Sequence, residues 1–253
     1  VSEDSVLVFS GLDPCGGAGI SADIETINQF GITALPIITS LTVQNTESLK
    51  DVTEVDSNLI IEQFNHLKED IDFSVVKVGL ISSERQVSTI CSLLRECNNL
   101  TIVLDPIIKS SSGNDLLNEN VIKALKTKLL PMVDVLTPNL SELVALCPNK
   151  DEQQAVESLQ CEWVLVTTTD SSEKHIEHRL YNRAKLVERF NYNKLPGAYH
   201  GSGCTLSSAI SALLSVGVNT KTACKRALEY TYQTLLNAKS IGKIQYHPNR
   251  QKP

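Results

Sequence analysis

Short apolar runs alternate with amphipathic stretches along most of the chain. Val6-Leu7-Val8-Phe9 has the unbroken hydrophobicity of a buried strand, and it stops at a loop rich in Gly and Pro from Gly11 to Gly19. Ile20, Ile24 and Ile27 then recur at the spacing of one helix face, and Gly31 ends that helix. The cycle repeats, with strands predicted over 35–39, 75–78, 101–104 and 133–136 and helices over 59–67, 87–94 and 121–129. A helix opens at Asn139, a strand covers 163–166, two short strands cover 179–182 and 186–190, and helices over 205–215 and 222–237 close the pattern.

Strands separated by helical segments of roughly 10–15 residues predict right-handed crossovers and a mostly parallel sheet covered on both faces. The expected fold class is therefore α/β, a central sheet flanked by helices in three layers. No linker, low-complexity tract or internal repeat divides residues 1–253, so a single domain is expected. Ligands of such sheets gather at the carboxyl ends of the strands. Each candidate segment below follows a predicted strand or opens a helix.

Composition adds exclusions. Apolar residues make up 42% and charged residues 21%, an ordinary balance for a soluble globular protein. A net charge of -6 argues against a nucleic-acid partner, which would call for clustered Lys and Arg. No apolar run approaches the roughly 18 residues of a membrane span. Val1-Ser2-Glu3-Asp4 lacks the basic and apolar parts of a signal peptide, so a cytoplasmic location is expected. The seven cysteines are scattered with no Cys-x-x-Cys pair, which predicts neither a disulfide framework nor a zinc site. Glycines surround only Cys15 and Cys204.

Tyr199-His200-Gly201-Ser202-Gly203-Cys204-Thr205 precedes an apolar helical face formed by Leu206, Ala209, Ile210, Leu213 and Leu214. Glycines before a helix leave its first N–H groups accessible, and the helix start adds partial positive charge, which together suit a transferring phosphoryl group. A thiol on that turn is expected to have a lowered pKa. The competing reading is a Gly-rich turn with a buried Cys. Gly11-Leu12-Asp13-Pro14-Cys15-Gly16-Gly17-Ala18-Gly19 holds four glycines in nine residues, more than a plain turn needs, and it matches neither common nucleotide-binding glycine motif.

Asn139 and Glu142 stand three apart at a helix start, where they either hold a hydrated Mg²⁺ or form a capping box; on the residues alone the cap is favoured. Asp105-Pro106 ends a buried strand, and its carboxylate serves a metal or phosphate or else starts a turn. Lys77 lies in a run of β-branched residues and needs a partner if buried. Gln44 follows another strand, with an amide suited to the edge of a heterocycle.

Taken in order, these segments resemble the hydroxymethylpyrimidine/phosphomethylpyrimidine kinase branch of the ribokinase-like superfamily, of which pyridoxal kinases are close relatives. The matching stretches are 11–20 with Ala22-Asp23, then 39–46, 76–80, 103–107, 136–142 and 200–207. The resemblance implies a three-layer ribokinase-like fold, ATP and Mg²⁺ as cofactors, a small heterocyclic substrate and a homodimer. It assigns Gln44 to reading the pyrimidine, with Gly11, Asp13, Ala18, Asp23, Leu80 and Ile107 around the ring. It places Asp105, Asn139, Glu142, Thr167 and Thr168 at the ATP phosphates, with Asp105 and Glu142 holding Mg²⁺ mostly through water. Gly201, Ser202 and Gly203 become the anion hole. Cys204 stands where sugar kinases of the superfamily have Asp, as the base for the hydroxyl proton or as a shaper of the pocket.

The chain also departs from that pattern. Thr167-Thr168-Thr169-Asp170 replaces the Lys-Gly-Gly-His usual in pyrimidine kinases and is more similar to pyridoxal kinases. Leu80 replaces a common Met, Ser21 a common Gln, and the chain is short around 148–154. The expected function is phosphorylation of hydroxymethylpyrimidine, its monophosphate, or both, in thiamine biosynthesis. A pyridoxal kinase is the second reading and a catalytically silent pyrimidine-binding regulator the third. Residues 109–114, rich in Ser and Gly, are the candidate mobile loop over the site.

Overall fold

The computed structural model describes residues 4–109, 116–168 and 174–251. Its first strand, β1 (Ser5–Leu12), is buried on both faces, as the unbroken apolar run requires. Beside it lie β2 (Thr33–Gln44), β4 (Val75–Val78), β5 (Thr101–Leu104), β6 (Val135–Leu136) and β7 (Trp163–Val166), all parallel. β3 (Leu49–Glu54) turns back antiparallel on β2, while β8 (His175–Asn182) and β9 (Lys185–Asn193) close the far edge antiparallel. The described residues thus form one nine-stranded sheet in the order β3-β2-β1-β4-β5-β6-β7-β8-β9.

Alternation along the strands divides the core. Leu7 and Phe9 face α2 (Ser57–Lys68) and α3 (Glu84–Arg95), packing with Ile60, Phe64, Val87 and Ile90. The same layer holds α4 (Glu119–Ala124), α5 (Leu140–Leu146) and α6 (Glu152–Leu159). Val6 and Val8 face the other way, onto Ile20 and Ile27 of α1 (Gly19–Gln29) and Ala212 of α7 (Ser202–Ser215). Further along that face Val103, Val135 and Leu165 meet Leu206 and Ile210 of α7, with α8 (Thr220–Leu236) packed outside through Ala223 and Leu228. Helices cover both faces of the sheet, giving the three expected layers.

The differences from the pattern-based reading have local causes. The strand expected over 35–39 runs on to Gln44 and pairs with β3, because its outer half carries the exposed Leu41 and Val43 of a two-stranded flap rather than a buried run. The helix expected over 121–129 is α-helical only to Ala124, continues as one π turn over Leu125–Leu129 and ends in a 3₁₀ turn at Pro131. α6 fills the stretch that looked short, opened by an Asp151–Gln154 capping box. Beyond α8, β10 (Lys239–Ser240) and β11 (Tyr246–His247) form a small separate ladder.

Candidate active site

A cleft of about 750 Å³ opens along the carboxyl ends of the parallel strands. Gly11, Leu12 and Asp13 reach it from β1, Thr42 and Gln44 from β2, and Leu80 from the turn after β4. Asp105 and Ile107 follow β5, Asn139 and Glu142 follow β6, and Thr167 follows β7. Ala18 and Gly19 come from the first glycine loop, and Gly201, Ser202, Gly203 and Cys204 from the start of α7.

Gly201 caps α7 with φ +87°, a left-handed conformation that glycine alone adopts without strain. A Cβ there would overlap the Gly17 carbonyl oxygen, so the two glycine loops lie in direct backbone contact. Asp13 ties them from the other side. Its carboxylate accepts hydrogen bonds from the backbone N–H groups of Cys15 (2.8 Å), Gly17 (3.0 Å) and Ala18 (2.9 Å), and its Oδ2 lies 2.9 Å from Nε2 of His200. Burial alone would raise the pKa of Asp13, but the His200 hydrogen bond and these amides outweigh it and hold the carboxyl at about 2. Asp13 therefore stands as an organiser of the loops as well as a residue at the cleft wall.

The α7 start rests on a buried polar cluster. Lys77 donates to Asp23 Oδ1 at 2.9 Å, and Ser208 donates to the same oxygen at 2.7 Å. Both members of the ion pair are fully buried. Burial opposes the ammonium, yet the carboxylate of Asp23, with Cys204 and Asp105 nearby, keeps the Lys77 pKa above its ordinary value. The partner required for Lys77 is thus Asp23, which corrects the expectation that Asp23 lines the substrate pocket. It sits on the core-facing side of α1, beneath the cleft floor, and stays away from the cavity wall.

Cys204 requires a second correction. Burial pushes its thiol up to about 12; Lys77 works against that rise, while Asp105 and Asp23 add to it. Desolvation outweighs the helix start, so the expected lowered pKa does not occur. The thiol lies beside the carboxylate of Asp105, which accepts a hydrogen bond from Ser207 Oγ at 3.4 Å. Asp105 itself is buried, which raises its pKa, with Lys77 pulling the other way.

Asn139 and Glu142 form the full capping box of α5. The Asn139 side chain accepts from Glu142 N at 2.8 Å, and Glu142 Oε2 accepts from Asn139 N at 2.9 Å. Capping and a place on the cleft wall are therefore compatible. Thr167 reaches the cleft, with its N–H bonded to Pro138 O at 2.9 Å. Thr168 does not: its hydroxyl donates to Glu177 O and its N–H to His178 Nδ1, which corrects the expectation that it contacts phosphate. Thr169, Asp170 and 110–114 of the candidate mobile loop lie outside the described residues.

Several contributors escaped the sequence reading. Thr42 accepts from Gln44 Nε2 at 2.9 Å and donates to Leu12 O at 2.8 Å, so it aims the Gln44 amide across the flap. The tie between Asp13 and His200 spans most of the chain, and no local spacing announces it. The tail after α8 also packs here: His200 N donates to Tyr246 O, and Tyr246 N donates to Ala198 O.

Mg²⁺ commonly uses one or two carboxylates together with substrate phosphates and water. Asp105 and Glu142 on one cleft supply such a set, and among the described residues no cluster of three or more His, Cys, Asp or Glu is arranged to hold a resident ion. The donors fit an ion that arrives with its nucleotide.

The arrangement has close parallels in known proteins. The hydroxymethylpyrimidine/phosphomethylpyrimidine kinase of Aquifex aeolicus is 31% identical over 246 residues, covering 94% of this chain and 96% of that protein. Its Escherichia coli counterpart is 28% identical over 247 residues, covering 94% and 92%. A Clostridium difficile phosphomethylpyrimidine kinase structure superposes with a TM-score of 0.78 at 26% identity, covering 92% of this chain and 100% of that one. The Staphylococcus aureus pyridoxal kinase in complex with ADP gives 0.88 at 20% identity over 99% and 94%, a likeness of fold, in keeping with the ribokinase-like architecture. The family described as phosphomethylpyrimidine kinase matches residues 13–249, from the glycine loop through the tail. With that span and the relatives' identity, the chain belongs to the phosphomethylpyrimidine kinase family.

Proposed function

We propose that the protein transfers the terminal phosphoryl group of ATP to hydroxymethylpyrimidine, its monophosphate, or both. The observation that carries this reading is the opening of the α7 start, Gly201 to Cys204, onto the same cleft as Gln44, Asp105 and the Asn139–Glu142 pair. One end of the cleft thus offers an amide for a ring edge, and the other offers donors for a phosphoryl group.

Gln44, steadied by Thr42, reads the pyrimidine edge, while Leu80 and Ile107 pack against the ring together with Gly11 and Ala18. The N–H groups of the first turn of α7 have no partners within their own helix and stabilise the charge that spreads over the transferring group. Asn139, Glu142, Asp105 and Thr167 line the nucleotide side. Mg²⁺, when bound, neutralises phosphate charge, with Asp105 and Glu142 as its supports, mostly through water. ADP and a non-hydrolysable ATP analogue occupy pyridoxal kinases of the same fold, which supports ATP as donor.

Cys204 lies at the point where the acceptor hydroxyl must lose its proton. Its thiol is neutral at rest, so it takes the hydroxyl proton only as its own proton passes to the neighbouring Asp105 carboxylate, with the positive charge of Lys77 beneath favouring the thiolate. Phosphoryl transfer tolerates a weak base because positioning and charge stabilisation supply most of the rate.

Purified protein with ATP and Mg²⁺ should turn over hydroxymethylpyrimidine or its phosphate, followed as ADP release and phosphorylated product. Turnover of pyridoxal with neither pyrimidine accepted would replace this reading with the pyridoxal kinase one. Heat stabilisation by a pyrimidine without any ADP release would favour the silent regulator.

A further inference from the structure

The last described turn of the chain contains a charged side chain that the cleft itself does not explain. Arg250 is 3% exposed and does not line the cavity, and it lies one residue beyond the family match. Its Nη2 donates to the Gly17 carbonyl, and its Nε donates to Thr205 Oγ1 at 2.9 Å. The Thr205 hydroxyl in turn donates to the Gly201 carbonyl at 2.8 Å. Nη1 reaches Glu25, whose carboxylate is mostly exposed, at 3.1 Å.

One planar guanidinium therefore grips the first glycine loop directly and the cap of α7 through one hydroxyl. These are the two backbones already in contact at Gly17 and Gly201. Arg250 is in turn seated on α8: its carbonyl accepts from the Tyr230 hydroxyl at 2.8 Å, and Asn249 N donates to Thr234 O at 2.9 Å. The grip thus runs from α8 to the cap from which the phosphate-facing N–H groups project.

We propose that Arg250 is a positioning residue for phosphoryl transfer, setting the register of the two glycine loops without touching either substrate. The proposal rests on the kinase reading above. Lys in its place keeps the charge but lacks the fork needed to span Gly17 and Thr205 together. A displacement of the α7 cap of about 1 Å costs on the order of 100-fold in rate in a pre-organised site.

The test compares wild type with R250A, R250K, T205V and E25Q. R250A and R250K should lower kcat by about 10- to 100-fold while the KM for the pyrimidine stays within about threefold. Millimolar ethylguanidine should restore part of the R250A rate and leave wild type unchanged. T205V should also lower kcat, R250A/T205V should be no slower than R250A, and E25Q should match wild type. R250A retaining wild-type kcat overturns the proposal, as does a slow R250A that ethylguanidine does not rescue beside an unaffected T205V. Should R250A fail to fold, the near-isosteric T205V decides alone, and an unchanged kcat there is the overturning result. A wild type that turns over no heterocycle counts against the kinase reading instead. In that case calorimetry of ATP and ADP reads the loops: R250A should weaken ATP more than ADP, and equal effects on both overturn the positioning role.

Discussion

The thiol of Cys204 shows how one residue's surroundings can reverse an argument from its place in the sequence. A helix start lowers a thiol pKa, but burial beside Asp105 and Asp23 raises this one to about 12. Turnover that depended on a preformed thiolate would have little of it at neutral pH. C204A should therefore lower kcat by about 100-fold, toward the low end of what a general base contributes, with pyrimidine affinity from calorimetry changed by less than about threefold. Unchanged kcat would remove Cys204 from proton transfer and leave it as a wall of the pocket. The residue types that face the cleft were legible because each follows a strand end or opens a helix. What was not legible was which way a side chain turns. Thr168 directly follows the cleft residue Thr167, and Asp23 lies on the helix that the cleft residue Gly19 opens, yet Asp23 is drawn inward by the buried Lys77 and Thr168 sideways by Glu177 and His178. Such turns depend on partners outside the local run, nine or ten residues away for Thr168 and 54 for Asp23, whereas periodicity reports only near neighbours.

At the scale of elements, the first turn of α7 owes its position to Gly201. Its φ of +87° and its contact with the Gly17 carbonyl leave no room for a side chain. G201A should destabilise the fold by about 1–3 kcal/mol through backbone strain, read as a lower urea midpoint. It should also lower kcat more than C204A does, since it moves the whole donor turn rather than one proton acceptor. An activity loss no larger than the loss of folded protein would assign Gly201 to folding alone. The buried elements were the easiest to read: the runs over 75–78, 101–104 and 163–166 coincide with β4, β5 and β7 because β-branched and apolar residues fill them, Lys77 being the charged exception, and their ends are abrupt. The flap of β2 and β3 was missed past Thr39 for the opposite reason. Its Leu41 and Val43 are exposed and its partner strand Leu49–Glu54 is mostly polar, so no buried run marks it.

At the scale of the whole molecule, the parallel order was legible from the alternation of strands and helices, whereas the order in which strands pair was not. β1 lies between β2 and β4, and the sheet then extends one way through β5 to β9 and the other way to β3. The hydrophobic cluster on one face runs from Leu7 on β1 to Tyr181 on β8 without a break. On the other face α7 packs against both the β1 side, through Ala212, and the β5–β7 side, through Leu206 and Ile210. A helix shared in this way couples the two halves of the sheet, so residues 1–253 should unfold as one domain. Trp163 on β7 is the single Trp and reports one side of the sheet, whereas far-ultraviolet circular dichroism reports all the helices. In urea the two signals should share one midpoint, and saturating ATP with Mg²⁺ should raise both together, by about 2.7 kcal/mol at 100 times Kd. A fluorescence transition that precedes the loss of helix, or that nucleotide leaves in place while the helical signal shifts, would divide the chain between β4 and β7 and refute the single domain.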